Sequence, residues 1–187
     1  MVAQKLLTKL QLKSDYIEIF VITLLAVVAR ILPHLPNVAP IAGLALYSGS
    51  RIGKSWAIVL PLIAMLVSDY VIGFHNTIGY VYGSFFIITI LGISLRANPK
   101  WGKVALFSVA SSSLFFIITN FGVWRESNMY PHTLSGLLNA YWMGIPFFRN
   151  TLVGDLVYTN LFFYGFQIVG VFAHRMAPLF RNPTSRS

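Results

Sequence analysis

Arg30-Ile31-Leu32-Pro33-His34-Leu35-Pro36-Asn37-Val38-Ala39-Pro40 is the stretch on which the reading of this chain turns. It separates two apolar runs, 16–29 and 41–49. Its three prolines fix φ and remove amide donors, so no regular helix runs through it. A broken, polar backbone between two membrane-grade segments is tolerated only at the interface or against a water-filled cavity. The side chains include a guanidinium, an imidazole and a carboxamide, all suited to a small polar ligand. Two readings stay open: one wall of a binding site, or an interfacial turn whose Arg30 snorkels to lipid headgroups.

The rest of the chain favours a membrane setting. Of 187 residues, 56% are hydrophobic and only 10% charged, against about a quarter charged in soluble domains. Cysteine is absent, which excludes disulfides, thiolate metal sites and a cysteine nucleophile. No Gly-x-Ser-x-Gly, His-Glu-x-x-His or Walker loop occurs, so no catalytic residue and no cofactor is expected.

Outward from the proline stretch, the pattern is that of an all-α integral membrane protein. Six spans are expected at about 16–32, 40–50, 55–72, 77–95, 104–124 and 148–172, in a single membrane domain 1–175 with a basic cytoplasmic tail 176–187. Span two is short for a ~30 Å hydrocarbon layer, which needs ~20 residues, so it should sit tilted or buried among its neighbours. Before span one, Lys5, Lys9 and Lys13 alternate with leucines, the mark of an amphipathic helix on a membrane surface. Gly79 and Gly83 form a small-residue pair suited to close helix approach.

Between spans five and six, Leu134, Leu137, Leu138, Tyr141, Trp142 and Ile145 fall on one helical stripe. That predicts a separate amphipathic helix on the outer face, capped by Thr133 and stopped by Pro146, which would roof a cavity.

Charge supplies the orientation. Lys5, Lys9, Lys13, Arg51, Lys54, Arg96, Lys100, Lys103, Arg175, Arg181 and Arg186 fall on the side of the termini, and Arg30, Arg125 and Arg149 on the other. Basic residues concentrate on the cytoplasmic side of membrane proteins, so both termini are expected there. Asp15 and Glu18 share the inner side, whereas Asp69, Glu126 and Asp155 balance the three outer arginines. The net charge of +9 therefore belongs to cytoplasmic loops facing anionic lipid, and nucleic acid is not an expected partner.

In that orientation the unusual polar residues gather in the outer half. Arg30 and His34 end span one, and Asn37 lies in the proline stretch. Asp69 and His75 follow at the end of span three, Asn120 and Trp124 at the end of span five, and Asp155 early in span six. Ionisable groups inside spans are costly and usually face the bundle interior, which makes these eight residues the candidate ligand site. The plainer reading is that Asp69 and Asp155 only neutralise Arg30 and Arg149. Two histidines and two aspartates could hold Zn²⁺ or Ni²⁺ in principle, but no His-x₃-His spacing occurs and no metal site is expected.

The motifs Arg30-x-x-Pro-His-x-Pro-Asn-x-x-Pro-Ile, Pro61-Leu-Ile-Ala-Met-Leu-Val-Ser-Asp69, Thr119-Asn-Phe-Gly-Val-Trp124 and Asn150-Thr-Leu-Val-Gly-Asp155 resemble a family of small, uncharacterised bacterial membrane proteins. Its layout is similar to that of the substrate-binding S components of energy-coupling factor (ECF) transporters. The resemblance implies a bacterial inner-membrane protein with an outward-facing cavity for a small-molecule solute. It also implies an energising module, a transmembrane subunit with ATPases, as partner. S components dock through an Ala-x-x-x-Ala pattern on helix one, whereas this chain has Ala26 and Ala29. The alternative from another class is a membrane-embedded enzyme or accessory protein acting on a lipid-like or quinone-like molecule.

Overall fold

The computed structural model describes residues 2–33, 35–52, 54–97 and 99–165. Among them the chain is entirely helical: α1 (Val2–Ile31), α2 (Ile41–Arg51), α3 (Lys54–Ile72), α4 (Ile78–Ile93), α5 (Trp101–Glu126) and α6 (Leu134–Asn160), closed by a π-helical turn, Leu161–Gly165. His34, the expected last turns of span six after residue 165, and the tail 176–187 lie outside the described residues.

Two boundaries differ from expectation. The surface helix and span one are one continuous helix, α1, of 30 residues, about 45 Å at 1.5 Å per residue. The backbone between Lys13 and Tyr16 holds no glycine or proline that would break it. Likewise, the outer amphipathic helix and span six are one helix, α6, with Pro146 inside it. A proline costs one amide donor, here the one that would reach the Trp142 carbonyl. That single loss does not end a helix that is buried on both sides of the proline, through Gly136, Ala140 and Gly144 before it and Thr151, Gly154, Asp155 and Thr159 after it. Thr133 does cap it, its hydroxyl accepting from the Gly136 amide at 3.2 Å.

α2 is the axis of the fold. It is only 11 residues long, and Ile41 to Gly49 are all buried. It packs chiefly against α3, α4 and α6. Contact with α4 is backbone to backbone: a Cβ on Gly92 would collide with the Leu46 carbonyl, and one on Gly49 with that of Thr89. These two glycines make the close approach, whereas Gly79 and Gly83, the expected pair, face open space. Contact with α3 uses a proline. Pro61 leaves the Ala57 carbonyl without its helical donor, and the Ser48 hydroxyl of α2 donates to it at 2.9 Å. At the other end Arg96 donates from Nε to the Gly49 carbonyl at 3.0 Å and from a terminal nitrogen to that of Ile52. It thus satisfies the C-terminal carbonyls of α2 with a cation, the favourable sign there.

Small polar side chains share the interior with an apolar core that includes Ile22, Leu44, Met65 and Ile88, and large apolar side chains also cover the outside. Ser68, Ser84, Thr89, Ser108, Ser111, Ser112 and Thr159 are all buried at 1% exposure or less. Phe20, Leu24, Leu66, Leu106, Leu138 and Trp142 are each more than half exposed. Most buried hydroxyls return a bond to a carbonyl one turn back, as Ser111 does to Phe107 at 2.8 Å, so they need no water. In α6 the predicted stripe faces outward: Leu134, Leu138, Trp142 and Ile145 are exposed, and the Gly136, Ala140 and Gly144 face packs inward. Two helices, Ser55–Ile72 and Trp101–Glu126, are long and apolar enough to cross a membrane, which suggests a membrane protein.

Candidate functional site

The proline stretch joins the end of α1 to the start of α2 and packs against α6 at Asn150 and Gly154. Asn37 takes φ +62°, the left-handed region that asparagine tolerates better than other non-glycine residues. It lets the chain turn between Pro36 and Pro40. The Asn150 side-chain amide donates to the Pro36 carbonyl at 3.1 Å. Gly154 leaves room for Val38 against the same helix. Held this way, the stretch forms the rim of a two-lobed cavity.

The inner lobe, about 240 Å³, is lined by Arg30, Asn37, Ala39, Ala42, Ile72, Phe85, Phe115, Thr151 and Asp155. The outer lobe, about 300 Å³, shares Asn37, Phe115 and Thr151 with it. Its further walls are mostly apolar and aromatic, among them Val81, Phe116, Met143, Phe147 and Phe148, with Thr77, Thr119, Asn120 and Tyr130 as polar points. Each lobe approaches or reaches the size of small-molecule pockets, and the mixture of apolar wall and few polar groups is the usual one.

Two buried carboxylates differ in their partners: Asp155 lines the inner lobe, and Asp69 lies behind Arg30, which lines it. Asp69, 1% exposed, accepts from Arg30 at 2.5 Å on Oδ1 and from the Tyr82 hydroxyl at 2.9 Å on Oδ2. Arg30 therefore reaches the cavity as half of an ion pair; its Nε is buried without a hydrogen-bond partner among the described residues. Asp155, 3% exposed, accepts from the Ser112 hydroxyl at 2.7 Å on Oδ2. Arg149, the expected counter-charge, is exposed, and among the described residues Asp155 has no ion pair. Ser108 and Thr159, 3.3 Å apart, continue this hydroxyl seam one turn further along α5 and α6.

Of the eight candidate residues, Arg30, Asn37 and Asp155 come together in the inner lobe, and Asn37 and Asn120 line the outer one. Asn120 also donates to the Phe116 carbonyl at 2.8 Å, and Gly144 is the residue that leaves it space. Asp69 sits behind Arg30. His75 is exposed, its Nδ1 2.9 Å from the Thr77 hydroxyl, and lines neither lobe. Trp124 supports the 127–133 loop instead, donating to the Pro131 carbonyl at 3.0 Å and meeting the His132 ring. Among the described residues no three His, Asp or Glu side chains come together as a metal site.

Reading the residues alone overlooked Ser112 and Tyr82, which decide the states of the two carboxylates. Ser112 carried a signal: Ser108, Ser112, Phe115 and Thr119 share a helical face, one step round from the face of Ser113, Phe116, Asn120 and Trp124 that drew attention. Tyr82 carried none, since a tyrosine in an apolar helix reads as interface or core.

A family model matches residues 10–178, nearly the whole chain. The chain belongs to DUF6580, described as a family of unknown function. No curated protein and no solved structure matches. Membership in DUF6580 agrees with the likeness to an uncharacterised family and assigns no ligand. The likeness to S components has no support from these comparisons. What the cavity of this DUF6580 member takes has to be argued from its walls.

Proposed function

We propose that this chain spans the bacterial inner membrane six times, with both termini in the cytoplasm. Its outer-half cavity binds a small polar solute, and it serves as the substrate-binding subunit of a transporter of the ECF S-component kind. The two-lobed cavity lined by Arg30 and Asp155 is the observation that carries this reading. Buried hydroxyls with exposed leucines and phenylalanines support the membrane setting, because lipid removes any penalty for apolar surface and helices then pack through small residues. The concentration of basic residues in the segments that the sequence assigns to the side of the termini supports the orientation. An energising module would have to dock elsewhere than through the alanines of α1, as Ala26 is buried within the bundle at 1% exposure.

Native mass spectrometry of the detergent-solubilised chain tests the solute. A small molecule should travel with the protein, and a clean apo mass from freshly extracted membranes would count against the reading. The orientation has its own test: cysteines placed at Leu35 and Asn128 should react with an impermeant reagent in intact cells, and one at Pro99 should not.

A second reading has an observation of its own. A groove of about 420 Å³ opens on the flank between α5 and α6, lined by Phe116, Leu138, Asn139, Tyr141, Trp142 and Ile145. Such a lateral, apolar site suits a lipid-like or quinone-like molecule, and a lipid in the mass spectrum would favour it.

A further inference from the structure

The charges at the cavity do not balance. Among the described residues Arg30 is the one basic side chain lining either lobe, and it is already matched by Asp69 at 2.5 Å. Asp155 adds a carboxylate whose partner is a neutral hydroxyl, Ser112. A buried charge without a counter-charge is strongly disfavoured, and a hydroxyl relieves little of that. The missing positive charge can come from a ligand.

We infer that the inner lobe takes a small organic cation, a protonated amine or protonated nitrogen ring on an apolar body, with its charge against Asp155. The inference rests on the reading of the cavity as a solute site. A metal ion fits poorly, since Asp155 has no second acidic or imidazole group beside it among the described residues. An organic cation fits both lobes. Its N–H groups donate to Asp155, a charge-assisted bond. Phe85 and Phe115 line the same lobe as Asp155, and aromatic faces favour a nearby cation; the apolar body enters the outer lobe, where Phe116 and Phe148 stand. Arg30 lines the lobe and carries N–H groups beyond the one that meets Asp69, so its guanidinium can donate to a neutral acceptor on the ligand. A ligand carboxylate there would restore the net negative charge that the cation removes, so the acceptor is a hydroxyl, ether or carbonyl oxygen. Asn37 and Thr151, common to both lobes, stand where the body would pass.

The test uses the full chain in lipid nanodiscs, with empty nanodiscs as control, and three matched probes: 2-phenylethylamine, 2-phenylethanol and phenylacetate. Calorimetry should give the amine at least roughly tenfold tighter binding than either analogue, about 1.4 kcal/mol. Asp155→Asn should bring the three together without lowering the unfolding temperature. Infrared difference spectra of the wild-type protein should show Asp155 as a carboxylate when the amine is bound, which needs no variant. Equal or tighter binding of the alcohol or acid, a preference that survives Asp155→Asn, or a protonated Asp155 in the complex would each overturn the cation while leaving a solute site. Failure of all three probes to bind at millimolar concentration would overturn both the site and its charge class.

Discussion

Asp69 and Asp155 look alike in the sequence and differ in the structure. Each stands in an apolar helix and each is almost wholly buried; Asp155 lines the cavity, and Asp69 lies behind Arg30, which lines it. Asp69 holds a guanidinium and a phenol; Asp155 holds one serine hydroxyl. A buried carboxylate that carries its own counter-charge is part of the frame. One that lacks it waits for a charge from elsewhere. The difference lies in neighbours contributed by other helices, α1 and α4 for Asp69 and α5 for Asp155. On the reading proposed above, it gives opposite roles to two residues of one type.

The largest effect should come from breaking the compensated side. Arg30→Ala leaves Asp69 buried with only Tyr82, and loss of one partner of a buried pair costs about 3–5 kcal/mol. Chemical or thermal unfolding in detergent measures it, and Arg30→Leu with Asp69→Leu together should recover much of the loss. A cost under about 1 kcal/mol for Arg30→Ala would place the pair in solvent-like surroundings and erase the contrast.

On the other side, Ser112→Ala removes the hydrogen bond that holds Asp155. Bonds to charged groups contribute about 1.5–3 kcal/mol, so destabilisation of that order is expected, smaller than for Arg30→Ala. An added organic cation should reduce it, by stabilising the folded form in proportion to its binding. Tyr82→Phe should be milder, at about 0.5–1.5 kcal/mol, because Asp69 keeps Arg30. The same unfolding assay ranks the two, and a Tyr82→Phe cost above that of Ser112→Ala would reverse which carboxylate depends on its hydroxyl.

The helical architecture was legible because apolar runs are punctuated by Arg, Gly and Pro, whose backbone and solvation effects are local. The length of α2 left it tilted or buried among its neighbours, and the structure buries it. What could not be read depended on neighbours. Pro146 stops a helix by local rules, yet α6 runs through it, buried at Gly136, Ala140 and Gly144 before it and at Thr151, Gly154 and Thr159 after it. The stripe from Leu134 to Ile145 reads as a roof over the cavity, and the structure turns much of it outward. At the site, Arg30, Asn37, Asn120 and Asp155 stood out as polar groups in apolar surroundings, and tertiary placement alone separated them from His75 and Trp124. Ser112 was overlooked because a serine hydroxyl in a helix normally bonds its own backbone, and Tyr82 because a tyrosine in an apolar helix reads as interface or core.

The smallest effect on folding is expected at Asp155 itself. Asp155→Asn keeps an oxygen in place for the Ser112 hydroxyl and removes an unmatched charge from the cavity. The bond weakens as its acceptor becomes neutral, while the desolvation penalty of the carboxylate disappears. The two changes oppose each other and are similar in size, so the unfolding temperature should stay level or rise, within about 1 kcal/mol. Asp69→Asn makes the control, because it leaves Arg30 buried and unmatched and should cost about 3–5 kcal/mol. Equal losses from the two Asp→Asn variants would mean that Asp155 is as fully compensated as Asp69. The division into a structural acid and a ligand-binding one would then fail.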